Sequence, residues 1–214
     1  MASNACFIKC KSTALSSTFS ENEDKPKSIK FILKTLETKA KINPSPETLA
    51  IIQDKLKQKT FLSKNGLPVV EFTIIDSLSD LKTKLEKFGF PALLKLRKDA
   101  YDGRGNFKIN HQDEIKVAYE YFEGRSMMLE KFLDFKMEVS IIAARNTKGQ
   151  VAVYPLVENI HEENILKMTI APARVSDSVT RNAENLAKKT MEVLSGAGVF
   201  GIGWIGLWVH TLFG

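Results

Sequence analysis

Apolar positions change their spacing along this chain, and each change marks an element. In NPSPETLAIIQDKLKQKTFLSKNGLP (43–68), Leu49, Ile52 and Leu56 recur at helical intervals. Ser45 suits the cap of that helix and Pro46 its first turn, while Gly66 and Pro68 stop it. VVEFTII (69–75) is β-branched and reads as a strand. SLSDLKTKLEKFG places Leu78, Leu81, Leu85 and Phe88 on one helical stripe. ALLKLRK (92–98) and FKI (107–109) read as a hairpin around a glycine-containing loop, followed by a short helix over 112–124. SMMLEKF (126–132) reads as a strand, and MEVSIIAAR and QVAVYPLV as strands joined by the turn NTKG. DSVTRNAENLAKKTMEVLSG is a helix stopped by Gly196, and GVFGI (198–202) opens another strand. Helices and hairpins alternate, so the pattern predicts α+β or mixed α/β layering. The glycine-rich opening unit of a dinucleotide fold is absent, as are internal repeats.

Charge refines this picture. Residues 1–59 carry eleven lysines against six acids, whereas residues 60–214 carry twenty basic and nineteen acidic residues. The body is almost neutral and offers no basic face for nucleic acid. The first twenty residues hold seven Ser or Thr, two Lys and no acid. They read either as a disordered tail or as an organelle transit peptide, which leaves a cytoplasmic or plastid location open. Cys6 and Cys10 have no partners for a zinc site and imply no disulfide framework.

Three segments could carry chemistry. LLKLRKDAYDGRGNFKI presents Lys95 on a strand and then a loop in which Gly103 and Gly105 flank Arg104. Glycines let backbone amides approach an anion, and Arg adds a forked donor, which suits a phosphate cover. The same residues also suit an exposed charged turn. In MLEKFLDFKMEVSII, Glu130 ends one strand and Glu138 starts the next. The stretch between them reads as an adenine-reading hinge with Glu138 on the ribose, or as a solvated face. His161, in YPLVENIHEENIL, is one of three histidines and reads as a structural or a site residue.

In order and spacing these segments resemble the ATP-grasp fold. Their wording is similar to one of its families, the 5-(carboxyamino)imidazole ribonucleotide synthases, which are ATP-dependent carboxylases of purine synthesis. PSPETLAIIQDKLKQK, YDGRGN, YPLVENIHEENIL, IAPARVS and GAGVFGI carry the resemblance, across residues 43–202. It implies an α+β chain with a linker helix and lid over 43–129 and part of an antiparallel core sheet over 130–202. A tail (1–42) precedes these, and a divergent apolar segment (203–214) follows. Lys55 and Lys95 would contact ATP phosphates. Ala100, Tyr101, Asp102, Gly103, Arg104, Gly105 and Asn106 would form the closing loop, with Tyr101, Asp102 and Arg104 also near the ribonucleotide. Glu130, Lys131, Phe132 and Leu133 would form the adenine hinge, Glu138 would bind ribose, and His161 would line the nucleotide site. The implied partners are ATP, Mg²⁺, bicarbonate, aminoimidazole ribonucleotide and a second copy of the chain.

Two departures qualify that resemblance. The family opens on a nucleotide-fold domain with a GGGQLG-like turn, and here an unrelated tail precedes the match. The family also follows its GVF strand with acids that hold Mg²⁺, whereas here Gly203 follows GVFGI and no carboxylate follows Glu192. Residues 193–214 contain six glycines and no charged side chain. They read as substituted sequence in preference to a membrane span. The expectation is a chain incomplete at both ends, with no metal ligands of its own and weak or absent carboxylation. Two other functions fit: a non-catalytic ATP-binding or subunit-interaction fragment, and another ATP-grasp carboxylate ligase.

Overall fold

The computed structural model describes residues 5–9, 38, 41–98, 105–135, 137–162 and 165–206. They form two antiparallel sheets with helices packed on each.

The single helix expected over 45–66 is two. α1 (Pro46–Ile52) is capped by Ser45, whose hydroxyl accepts from the Thr48 N–H. α2 (Lys55–Lys64) starts afresh after Asp54, whose carboxylate accepts from the N–H groups of Leu56 and Lys57. A side chain that satisfies two orphan donors is a new helix start, and it breaks the run that periodicity alone joined. Asp54 also takes a two-pronged contact from Arg97, at 3.1 Å from Nε and 2.7 Å from Nη2. Gly66, at φ +67°, ends α2 as expected.

The smaller sheet holds β2 (Phe72–Ile75), β3 (Ala92–Leu96), β4 (Asn106–Ile109) and β5 (Met127–Lys131), in the order β2-β5-β3-β4. β3 and β4 pair as the hairpin the sequence suggested. α3 (Leu78–Phe88) and α4 (Ile115–Tyr121) cover one face. Leu81 and Leu85, on the predicted stripe, are fully buried there. Each such burial is worth about 1.5–3 kcal/mol. Alternation along β3 sends Ala92, Leu94 and Leu96 to that core, so Leu93 and Lys95 face the other way.

The larger sheet runs β1-β10-β6-β8-β9, with β7 beside β6. Its strands are β1 (Ala5–Lys9), β6 (Met137–Arg145), β7 (Val151–Val153), β8 (Val157–Glu162), β9 (Ile165–Ile170) and β10 (Gly198–Gly206). α5 (Asp177–Val193) packs on one face through Val179, Ala183, Ala187 and Met191, against Val139, Ile141, Phe200, Ile202 and Trp204. Arg145 donates from Nε to the Gly196 carbonyl at 2.8 Å and from Nη1 to Met191, placing a cation at the C-terminal end of α5. Arg174 clamps the segment after β9 to buried Glu158 through two hydrogen bonds of 2.8 and 2.7 Å.

Three features depart from the expectations. Residues 5–9, inside the segment read as a tail, form a strand paired with β10. β10 passes through residue 203, where the divergent segment was expected to begin, without interruption; it lies between β6 and β1, and Trp204 packs in the core. The division expected at 129/130 falls inside β5, because the change of sheet comes after Lys131. No helix among the described residues is long and apolar enough to cross a membrane.

Candidate functional site

The inner face of the smaller sheet gathers its charges around Glu130. Register sets Glu130 opposite Leu93 on β3 and Phe72 on β2, on the same face as Lys95. Lys95 Nζ lies 3.0 Å from Glu130 Oε2. From the other side α2 delivers Lys59, whose Nζ lies 3.4 Å from Oε1. Lys59 and Glu130 are 6% and 4% exposed, so this is a buried carboxylate between two ammonium groups. Among the described residues Oε1 meets no donor at hydrogen-bonding geometry, so Lys59 holds it by charge more than by a directed bond. Burial pushes the Glu130 carboxyl up, and Lys95 and then Lys59 outweigh that and hold it below the ordinary glutamate range.

Asp54 anchors the start of α2 to this sheet. Burial raises its carboxyl, but the hydrogen bonds from Arg97 and from the Lys57 and Leu56 N–H groups leave it below the usual aspartate range. The Lys55 N–H donates to the Arg97 carbonyl at 2.9 Å, which fixes Lys55 at the first turn of α2 beside the end of β3. Leu62, one turn beyond Lys59, packs into the core of the larger sheet. α2 is therefore the rigid bridge between the sheets.

After β5 the chain crosses to β6. Lys131 is exposed, with its N–H donating to the Glu71 carbonyl at 3.0 Å, and Phe132 and Leu133 are half-buried. Lys108 Nζ sits 4.0 Å from the Phe132 ring centroid, a cation–π contact between β4 and the crossing. On the larger sheet, Glu138 opposes Asn159, and His161 lies farther along the same strand, past a bulge. His161 Nδ1 is 3.7 Å from Glu138 Oε2. Asn159 donates to Ser140 Oγ at 2.8 Å and accepts from Thr169 Oγ1 at 3.2 Å, extending a polar row on the face away from α5.

The expected residues are thus partly united. Lys95 and Glu130 meet directly, Glu138 and His161 meet directly, and Lys131–Leu133 join the two groups. Gly105 is buried and its carbonyl accepts from the Leu96 N–H at 2.9 Å, while Asn106 is exposed at the start of β4. Ala100, Tyr101, Asp102, Gly103 and Arg104 lie outside the described residues. Lys59 was not singled out from the sequence. The signal available was its place four residues after Lys55 on the same helix, one turn on from a helix start.

Residues 60–206 match the ATP-grasp domain family. The chain belongs to the ATP-grasp family. It is 42% identical over 166 residues to the phosphoribosylaminoimidazole carboxylase of Ogataea methanolica, covering 77% of this chain and 31% of that protein. It is 34% identical over 165 residues to the N5-carboxyaminoimidazole ribonucleotide synthase of Brucella melitensis, covering 76% and 46%. Among solved structures, the Aspergillus clavatus carboxyaminoimidazole ribonucleotide synthase complexed with ATP superposes with a TM-score of 0.79 at 38% identity, over 82% of this chain and 46% of that one. The same organism's enzyme with ADP and 5-aminoimidazole ribonucleotide gives 0.76 at 35% identity, over 81% and 46%. This ATP-grasp chain therefore spans less than half the length of these relatives.

Proposed function

We propose that this ATP-grasp chain carries the nucleotide-gripping part of an ATP-dependent carboxylase that acts on aminoimidazole ribonucleotide with bicarbonate in purine synthesis. The observation that carries the proposal is the buried Glu130 flanked by Lys59 and Lys95, immediately before the crossing to Glu138. An ammonium on a strand, an adjoining crossing between the two sheets and a partly buried carboxylate match triphosphate, adenine and ribose in turn. Lys95 and Lys55 supply positive charge to the phosphates. Residues 130–133 border the adenine, Glu138 accepts from ribose hydroxyls, and His161 orients Glu138. The loop 100–106 closes over the nucleotide. Phosphoryl transfer from ATP to bicarbonate depends mainly on such positioning and charge neutralisation, and closure protects a labile carboxyphosphate from water.

Mg²⁺ accompanies ATP in this reading, but the described residues hold no cluster of three His, Cys, Asp or Glu side chains that could bind it. The position after GVFGI is Gly203, buried in β10. Among the described residues the donor set does not fit the ion. That favours a second reading, in which the chain binds ATP without turning it over.

Titration of the 214-residue chain with ATP by calorimetry tests the first step. Binding that weakens about tenfold or more in Lys95→Met is expected, since a lost charge-assisted contact is worth about 1.5–3 kcal/mol. A chain that shows no ATP binding overturns the proposal. Phosphate release with ATP, bicarbonate and aminoimidazole ribonucleotide separates the two readings: ribonucleotide-dependent release supports carboxylation, and binding without release supports the second.

A further inference from the structure

Glu130 carries one negative charge and pairs with two ammonium groups, which is one more than its neutralisation requires. The two lysines are not equivalent. The Lys95 side chain is 17% exposed and sits 3.0 Å from Oε2, whereas the Lys59 side chain is 7% exposed and sits 3.4 Å from Oε1. Lys59 is carried by a helix fixed at its start by Asp54 and Arg97 and beyond it by Leu62 in the core of the larger sheet. Lys95 stands on a strand, and its side chain is the more exposed of the two.

A buried carboxylate stripped of its only cation is strongly destabilised. If Lys95 were the sole partner of Glu130, drawing it to a phosphate would leave that bare carboxylate behind, and the cost would be subtracted from nucleotide affinity. We infer that Lys59 is a positioning residue: it keeps Glu130 neutralised so that the Lys95 ammonium can leave the carboxylate for the phosphates of an incoming nucleoside triphosphate. The inference rests on the proposed ATP site and adds to it a residue that acts through Lys95 without touching the ligand. Among the described residues, Lys59 from α2 and Lys95 from β3 form ion pairs with Glu130.

The test compares ATP affinity of the full chain with Lys59→Met, Lys59→Arg, Glu130→Gln and the Lys59→Met/Glu130→Gln pair, with folding checked by circular dichroism. Lys59→Met should lose about tenfold or more in affinity, and Lys59→Arg should recover most of it, because only charge is required. Once Glu130 is neutral the role inferred for Lys59 at that carboxylate is gone, so the double variant should bind ATP as Glu130→Gln does. The pH profile adds a readout that a packing role would not move. In Lys59→Met the Glu130 carboxyl has one counterion fewer and its pKa rises, so acidification protonates it, releases Lys95 and narrows the affinity gap to the parent. The phosphates of ATP titrate in both experiments, so the ratio of the two affinities is the quantity read. Parent-like affinity in Lys59→Met overturns the inference. So does a double variant that binds more weakly than Glu130→Gln, and this second comparison stands even where Lys59→Met does not fold. An unmodified chain that fails to bind ATP refutes instead the nucleotide site itself.

Discussion

Glu130 and Glu138 lie eight residues apart and belong to different physical regimes. Glu130 is sealed in the smaller sheet with two ammonium groups within 3.4 Å. Glu138 lies on the open face of the larger sheet, its side chain 14% exposed, with the His161 ring nitrogen 3.7 Å away. A sealed acid must bring its counterions with it and becomes part of the fold. A half-open acid keeps its hydration until a ligand replaces it. The two carboxylates bracket one crossing, and only one of them holds the protein together.

The largest effect that would sharpen this contrast is Glu130→Ala. It leaves Lys59 and Lys95 facing each other without their shared anion, and should cost about 3–5 kcal/mol in chemical unfolding. A loss below 1 kcal/mol, on the order of an exposed pair, would erase the distinction. Asp54→Ala comes next. It removes the α2 cap and the partner of Arg97 together, for an expected loss of about 2–3 kcal/mol in the same measurement.

A graded effect follows from acid. Asp54 and Glu130 both have depressed folded-state values, so their contribution is fully present above the unfolded-state range near pH ~4–4.5 and is lost as pH falls through the folded values. Thermal melts should therefore hold level from neutral pH to about 5 and decline below it, and Asp54→Asn should flatten the decline. An unchanged slope in that variant would show that other groups govern acid unfolding. The smallest stability effect belongs to Glu138→Gln, within about 0.5 kcal/mol of the parent. Its ATP affinity should nonetheless fall, which calorimetry reads directly. A large stability loss in that variant would place Glu138 in the same regime as Glu130.

The contrast also shows what sequence could and could not reveal. The stripe of Leu81 and Leu85, the hairpin around Lys95 and the turn NTKG follow from local spacing and turn chemistry, and the structure contains each. The pairing of Glu130 with Lys95 and of Glu138 with His161 was legible only as a resemblance, since each joins different strands. Lys59 was hidden because its environment is set by α2 lying across two sheets, a tertiary fact with no periodic signature. Asp54 was readable in principle as a second helix cap, but continuous apolar spacing through Ile52 and Leu56 masked the break. β9 was missed because Ile165, Leu166 and Met168 sit on an edge strand and are exposed, so burial imposed no clean alternation. Gly203 and Trp204 read as divergent because the resembling family carries acids after this strand, and pairing with β6 on one side and β1 on the other places them within β10.

The central position of β10 has a kinetic consequence. Its partners are β6 and a strand drawn from residues 5–9, so Ala5 comes to pair with Ile205. Such contacts close very long loops and form slowly compared with hairpins. During synthesis residues 72–131 can zip into the smaller sheet early, whereas the larger one must wait for β10 to emerge before β1 finds a neighbour. Throughout that interval the apolar side chains of α5 lack their partners Phe200, Ile202 and Trp204, and it is then that the nascent chain most needs a chaperone.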